Sequence, residues 1–148
     1  YYLPYHNALS NAIENKVMQF GGVWHLNLHS MPNNAYERLQ IKNPLYSLAD
    51  FVLGDRDGTT CNPEFLDLIE KNLRSMGYSV AVNYPYKGMQ LIANIGKPSE
   101  NRHSLQIEIR RPIYMNEISR EKTSNFDVVQ RDISTLLKNI ASYLKEIG

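Results

Sequence analysis

The chain has 148 residues, one domain's worth, enough to bury about 70% of its unfolded surface. Sixteen basic residues face fifteen acidic ones, for a net charge of +1, and 43% of residues are hydrophobic. That balance carries no electrostatic footprint for nucleic acid or an anionic membrane, and no apolar run approaches bilayer-spanning length. The single cysteine, Cys61, excludes an internal disulfide and sets a reducing, cytoplasmic compartment as the expectation.

Taken in order, residues 5–20 place Leu9, Ala12, Ile13, Val17 and Phe20 at helical spacing, and Gly21 stops the helix. Residues 23–29 alternate as a buried strand. Val23, His25, Asn27 and His29 share one face, and Trp24, Leu26 and Leu28 share the other. Residues 30–49 read as a long irregular loop, of the kind that often carries function. Residues 50–54 form a short apolar strand, followed by a polar turn through Asp55, Asp57, Gly58 and Thr59. That turn lacks the spaced acceptors of a calcium loop and reads as side-chain capping. Asn62-Pro63 starts a helix running to about Met76, with Phe65, Leu66, Ile69 and Leu73 inward and Gly77 at its end. A strand over residues 78–82 leads into the loop Asn83–Gly88. Residues 89–95 fit neither period cleanly. The strand over residues 104–109 faces Leu105, Ile107 and Ile109 one way and Gln106, Glu108 and Arg110 the other. A last helix spans residues 125–147. Strands alternating with helices predict an α/β fold: three αβα layers around a mostly parallel sheet.

Two residues stand out chemically. His29 falls where its strand ends and a loop begins, the place where ligands gather in open α/β sheets. It reads either as a metal ligand or as a hydrogen-bonded strand-end histidine. Glu108 is a carboxylate set among aliphatic residues mid-strand. It reads either as a general base or as the partner of Arg102, Arg110 or Arg111. Tyr84, Tyr86 and Tyr114 either line a pocket or pack at loop edges, and Cys61 reads as a buried small hydrophobe. His6, His25 and His103 each have a structural reading, and no local zinc motif such as H-E-x-x-H occurs.

The segments Tyr1-Tyr2-Leu3-Pro4-Tyr5-His6, Leu28-His29-Ser30-Met31-Pro32 and Asp50–Asp55 with Gly58-Thr59 lie along the chain. Asn83–Gly88, Gln106-Ile107-Glu108-Ile109, Arg111 and Tyr114-Met115 follow them. In that order the set resembles the N-formylglutamate amidohydrolase family. The resemblance implies a zinc-carboxypeptidase-like (phosphorylase/hydrolase-like) fold. It also implies zinc-dependent hydrolysis of N-formyl-L-glutamate to formate and glutamate, a late step of histidine breakdown. By it, His29 is a zinc ligand, Glu108 the catalytic base, and Arg111, Tyr86 and Asn83 hold a small-molecule N-acyl amino acid. Further ligands are expected upstream of Tyr1, which makes the chain the C-terminal part of an amidohydrolase-like domain. Two departures from the family pattern occur: Met89 replaces a second glycine, and Ala93-Asn94 stands where an arginine is usual. The second predicts a weaker preference for the substrate's side-chain carboxylate. Two alternatives remain beside this reading. One is an inactive family member that binds or supports. The other is a hydrolase of a different N-acyl amino acid or peptide. Oligomeric state is left open.

Overall fold

Hydrophobic alternation on two long strands decides the architecture. The computed structural model describes residues 2–147; Tyr1, which opens the first of the family-like segments, and Gly148 lie outside them. Four strands, β1 (Val23–Met31), β2 (Phe51–Gly54), β3 (Val80–Val82) and β4 (Arg102–Arg110), form one sheet in the order β1-β4-β2-β3. β1 runs parallel to β4 and β2 parallel to β3, while β2 meets β4 antiparallel. The sheet is thus mixed, with two of its three pairings parallel.

Among the described residues five α-helices accompany it: α1 (Tyr2–Phe20), α2 (Ala35–Arg38), α3 (Pro63–Ser75), α4 (Gln90–Ile95) and α5 (Phe126–Ile147). Leu105 and Ile107 of β4 and Phe51 and Leu53 of β2 present one apolar face. On it pack Phe65, Ile69 and Leu73 of α3, with Leu136 and Ile140 of α5. Each of those helices contributes a stripe at i, i+4 spacing. The other face is covered by α4, through Ile92 and Ile95, and near the start of β4 by α1, whose Glu14 pairs with Arg102. Helices therefore lie on both sides of the sheet, as three αβα layers require.

Several boundaries differ from the sequence reading for identifiable reasons. Within the described residues α1 reaches back to Tyr2, ahead of the expected start, because a proline is tolerated in the first helical turn, where Pro4 sits. The long loop contains one helical turn, α2, too short for periodicity to mark. Of residues 89–95, Gln90–Ile95 form α4, whose N-cap Met89 offers no side-chain cap; the Met89 backbone N–H donates instead to the Gln106 side chain, at 3.0 Å. β1 is an edge strand rather than a buried one, and Leu28 is 50% exposed. The α3 start is as expected: Asn62 Oδ1 accepts from the Glu64 N–H at 2.8 Å, and Pro63 opens the helix.

Candidate active site

Strand register assembles the site. Side-by-side residues on paired strands share a face. The pairings His25↔Ser104, Asn27↔Gln106 and His29↔Glu108 therefore stack three polar couples up the α4 side of the sheet. His25 Nδ1 lies 2.8 Å from Ser104 Oγ, and burial pushes the His25 pKa down. Gln106, 1% exposed, is fixed at both ends of its amide. Its Oε1 accepts from the Met89 N–H and its Nε2 donates to Glu108 Oε1 at 2.9 Å. Glu108 is 5% exposed, and its Oε1 lies 3.6 Å from His29 Nδ1. Burial raises the Glu108 pKa, against the lowering effects of His29, Gln106 and Arg111.

Among the described residues the alternative of a structural ion pair with an arginine finds no partner. Arg102 pairs with Glu14, Arg110 with Asp50, and Arg111 with Glu117. Glu108 is thus a buried carboxylate held by one neutral amide and one imidazole, the setting in which a carboxylate becomes a better base. His29 sits at the carboxyl end of β1, one-third exposed, and its Nε2 makes no hydrogen bond among the described residues. A neutral imidazole so placed suits a metal ligand. Among the described residues no group of three or more His, Cys, Asp and Glu side chains is placed to hold a metal ion.

The loop after β3 lies over the same face. A Cβ on Gly54 would come within 2.7 Å of Lys87 C and Gly88 N, so the loop backbone rests directly on this glycine of β2. The loop is tied down at its start by Asn83. Its Oδ1 accepts from the Asp55 N–H at 3.0 Å, and its Nδ2 donates to Asp55 Oδ1 at 2.7 Å. Both ends of the Asn83 side chain are thus spent on the turn. Asp55 also accepts from the Gly58 N–H, as its capping role requires. Further along, Tyr86 comes within electrostatic reach of Glu108, Arg111 and Arg38. Burial first, then Glu108, raises its phenol pKa and keeps it a hydrogen-bond donor. Arg111 donates from Nε to Ser30 Oγ at 3.1 Å and lies 3.6 Å from Glu117 through Nη1.

The three tyrosines separate. Tyr84 packs against Tyr36 and Tyr46, Tyr114 against Phe126, and only Tyr86 joins Glu108. Lys87 is drawn away into an ion pair with Asp57. Cys61 is 1% exposed, and burial pushes its thiol up to about 12. His103 stacks on Trp24 with ring centroids 3.8 Å apart; as a core histidine its Nδ1 accepts from the Asn62 N–H at 3.1 Å and its Nε2 donates to Asn101 Oδ1 at 3.2 Å. Beyond Arg111 an open cleft of about 730 Å³ is lined by Asn33, Asn34, Arg38, Met115, Glu117 and Arg120. Sequence spacing gives no hint of it, because its walls come from the loop after β1 and the loop after β4. The only advance signal is the density of asparagines and charges in residues 30–49.

Comparison with known proteins places the chain among named relatives. A family model described as N-formylglutamate amidohydrolase matches residues 1–115. The chain is similar to an N-formylglutamate deformylase of Pseudomonas putida, 28% identical over 115 residues, and to one of Pseudomonas aeruginosa, 26% identical over 115 residues. Each match covers 77% of this chain and 41% of the relative. A crystal structure of N-formylglutamate amidohydrolase from Ralstonia eutropha JMP134 superposes with a TM-score of 0.96 at 61% identity, covering 100% of this chain and 52% of that one. The chain thus spans less than half the length of the Pseudomonas relatives and about half of the Ralstonia chain. No helix among the described residues is long and apolar enough to cross a membrane. The family match takes in β1 with His29, the loop with Tyr86, β4 with Glu108, and Arg111 just after it, and the chain belongs to the N-formylglutamate amidohydrolase family.

Proposed function

We propose that this chain carries the general base and one metal ligand of a cytoplasmic, zinc-dependent amidohydrolase of zinc-carboxypeptidase-like fold. Its substrate is N-formyl-L-glutamate, cleaved to formate and glutamate in histidine breakdown. The observation that carries the reading is the register pair His29↔Glu108, with Glu108 buried and without an arginine partner.

His29 fits zinc as a single ligand; the remaining ligands would come from outside the described residues. When bound, zinc supplies a Lewis acid and acidifies water toward neutral pH. Glu108 takes a proton from the water that adds to the formyl carbon. It returns that proton to the amide nitrogen as the C–N bond breaks, leaving formate and the free amino group. Its hydrogen bond from Gln106 fixes which oxygen faces the substrate. Tyr86 donates a hydrogen bond to the acyl amino acid, and Arg111 receives its α-carboxylate. Asn83 acts by anchoring the loop that carries Tyr86.

The test is formate release from N-formyl-L-glutamate by the intact protein, before and after treatment with a chelator. The reading requires turnover that the chelator abolishes and zinc restores. A protein that releases formate from no N-formyl amino acid and contains no zinc would overturn it.

A further inference from the structure

Three arginines line the cleft beside the site, and among the described residues that line it one carboxylate, Glu117, answers them. Arg111 is engaged by Ser30 and Glu117. Arg38 is steered by a single bond, Nε donating to Asn34 Oδ1 at 3.0 Å, which leaves both terminal nitrogens of its fork unspent. Arg120 makes no ion pair or side-chain hydrogen bond among the described residues. Its backbone is held in a left-handed conformation, φ +64°, by a turn whose N–H donates to the Asn116 carbonyl. Glu117 is itself pinned, accepting from the Asn33 N–H at 3.1 Å. It thus ties the two walls of the cleft together. Counting Arg38, Arg111 and Arg120 against Glu117 leaves two uncompensated positive charges on one concave surface. Guanidinium forks in that state match carboxylates in both geometry and charge.

Arg111 ties the cleft to the chemistry, since it acts electrostatically on both Glu108 and Tyr86. A ligand with one carboxylate at Arg111 would lie in the cleft that Arg38 and Arg120 also line.

We propose that Arg38 and Arg120 form the receptor for the second, side-chain carboxylate of the substrate and so set a preference for dicarboxylic N-acyl amino acids. The inference rests on the amidohydrolase reading and names what that reading leaves open. It also reverses the expectation drawn from Ala93-Asn94. Those residues lie on α4, where Asn94 accepts from Gln90, and they do not line the cleft.

The experiment compares kcat/KM for N-formyl-L-glutamate and N-formyl-L-glutamine in the natural protein, Arg38→Met and Arg120→Met. Both arginines are exposed, so neither change endangers the fold. The natural protein should favour the glutamate form, and each substitution should lower the ratio about 10- to 100-fold, the worth of one charge-assisted contact. A lysine at either position should restore part of it. An unchanged ratio in both variants, with Glu108→Gln inactive, would overturn this inference and leave the hydrolase reading standing. If the natural protein hydrolyses neither compound, the hydrolase reading fails. Calorimetric titration with glutarate then decides the inference alone. Binding that both variants weaken supports a dicarboxylate site, and no binding to the natural protein overturns it.

Discussion

Replacing Glu108 by glutamine separates a catalytic carboxylate from a structural one. The change keeps shape and the bond from Gln106 Nε2, now to an amide oxygen. A charge-assisted hydrogen bond contributes about 1 kcal/mol more than a neutral one, and that difference is lost. Against it stands the relief of removing a buried carboxylate whose pKa burial raises. The folded state binds the Glu108 proton more tightly than the unfolded state does. Its contribution to stability is therefore present below the ordinary Glu value of about 4.3 and fades as pH rises through the folded value. At pH 7 the ionised group is a net cost, which glutamine removes. The two effects nearly cancel, so Tm at pH 7 should shift by no more than about 3 °C for a chain of this size. The difference should move in favour of the variant as pH rises from about 4 to 7. A broken buried ion pair would instead cost about 3–5 kcal/mol, or roughly 10 °C. Turnover of N-formyl-L-glutamate should fall by about two to four orders of magnitude. Thermal melts across that pH range, run beside a formate assay, read both quantities. Near-normal turnover together with a large fall in Tm would refute the assignment of Glu108 as the base.

Three further outcomes are expected. His29→Ala in the intact protein should lose zinc, measured by mass spectrometry of the metal, while circular dichroism stays unchanged because the ring is partly exposed on an edge strand; zinc content equal to the natural protein would remove His29 from the ligand set. The Cys61 thiol, pushed up to about 12 by burial, should resist a disulfide reagent at pH 8 until denaturant is added; fast labelling of the folded protein would contradict its packing. Burial alone would raise the Asp50 pKa, but hydrogen bonds from Ser79 and Arg110 outweigh it and lower the value. The resulting stability is present above the ordinary Asp value of about 3.9 and is lost as pH falls through the folded value. Asp50→Asn should therefore flatten the acid limb of denaturant midpoints measured from pH 2 to 6, and an unaltered limb would refute this.

Much of the fold is written locally. The alternation of β1 and β4 follows from residues that sit beside one another in register, so each strand's polar face can be read from its own sequence. The start of α3 is legible because Asn62 and Pro63 carry their own capping chemistry. α4 is not, because what holds its first turn is the side chain of Gln106, sixteen residues beyond its first residue. The antiparallel meeting of β2 with β4 likewise depends on chain routing that no window of residues records. His29 and Glu108 are separated by most of the domain and are joined in the sequence only through resemblance to a family. Arg38 and Arg120 stay hidden, since an exposed arginine in an irregular segment looks the same whether it meets water or a ligand. Only the approach of two loops distinguishes them.

The contact at Gly54 sets the height of the loop that bears Tyr86. Peptide backbone lies on peptide backbone there, with no side chain between them to lengthen, shorten or repack. The height of that loop above the sheet face that carries Glu108 is consequently a fixed dimension of the scaffold. Side chains around the cleft can be exchanged to suit a different acyl amino acid. The seat of the loop cannot be retuned by the same gradual route, because even one methyl group at position 54 would meet the backbone of Lys87 and Gly88 at 2.7 Å.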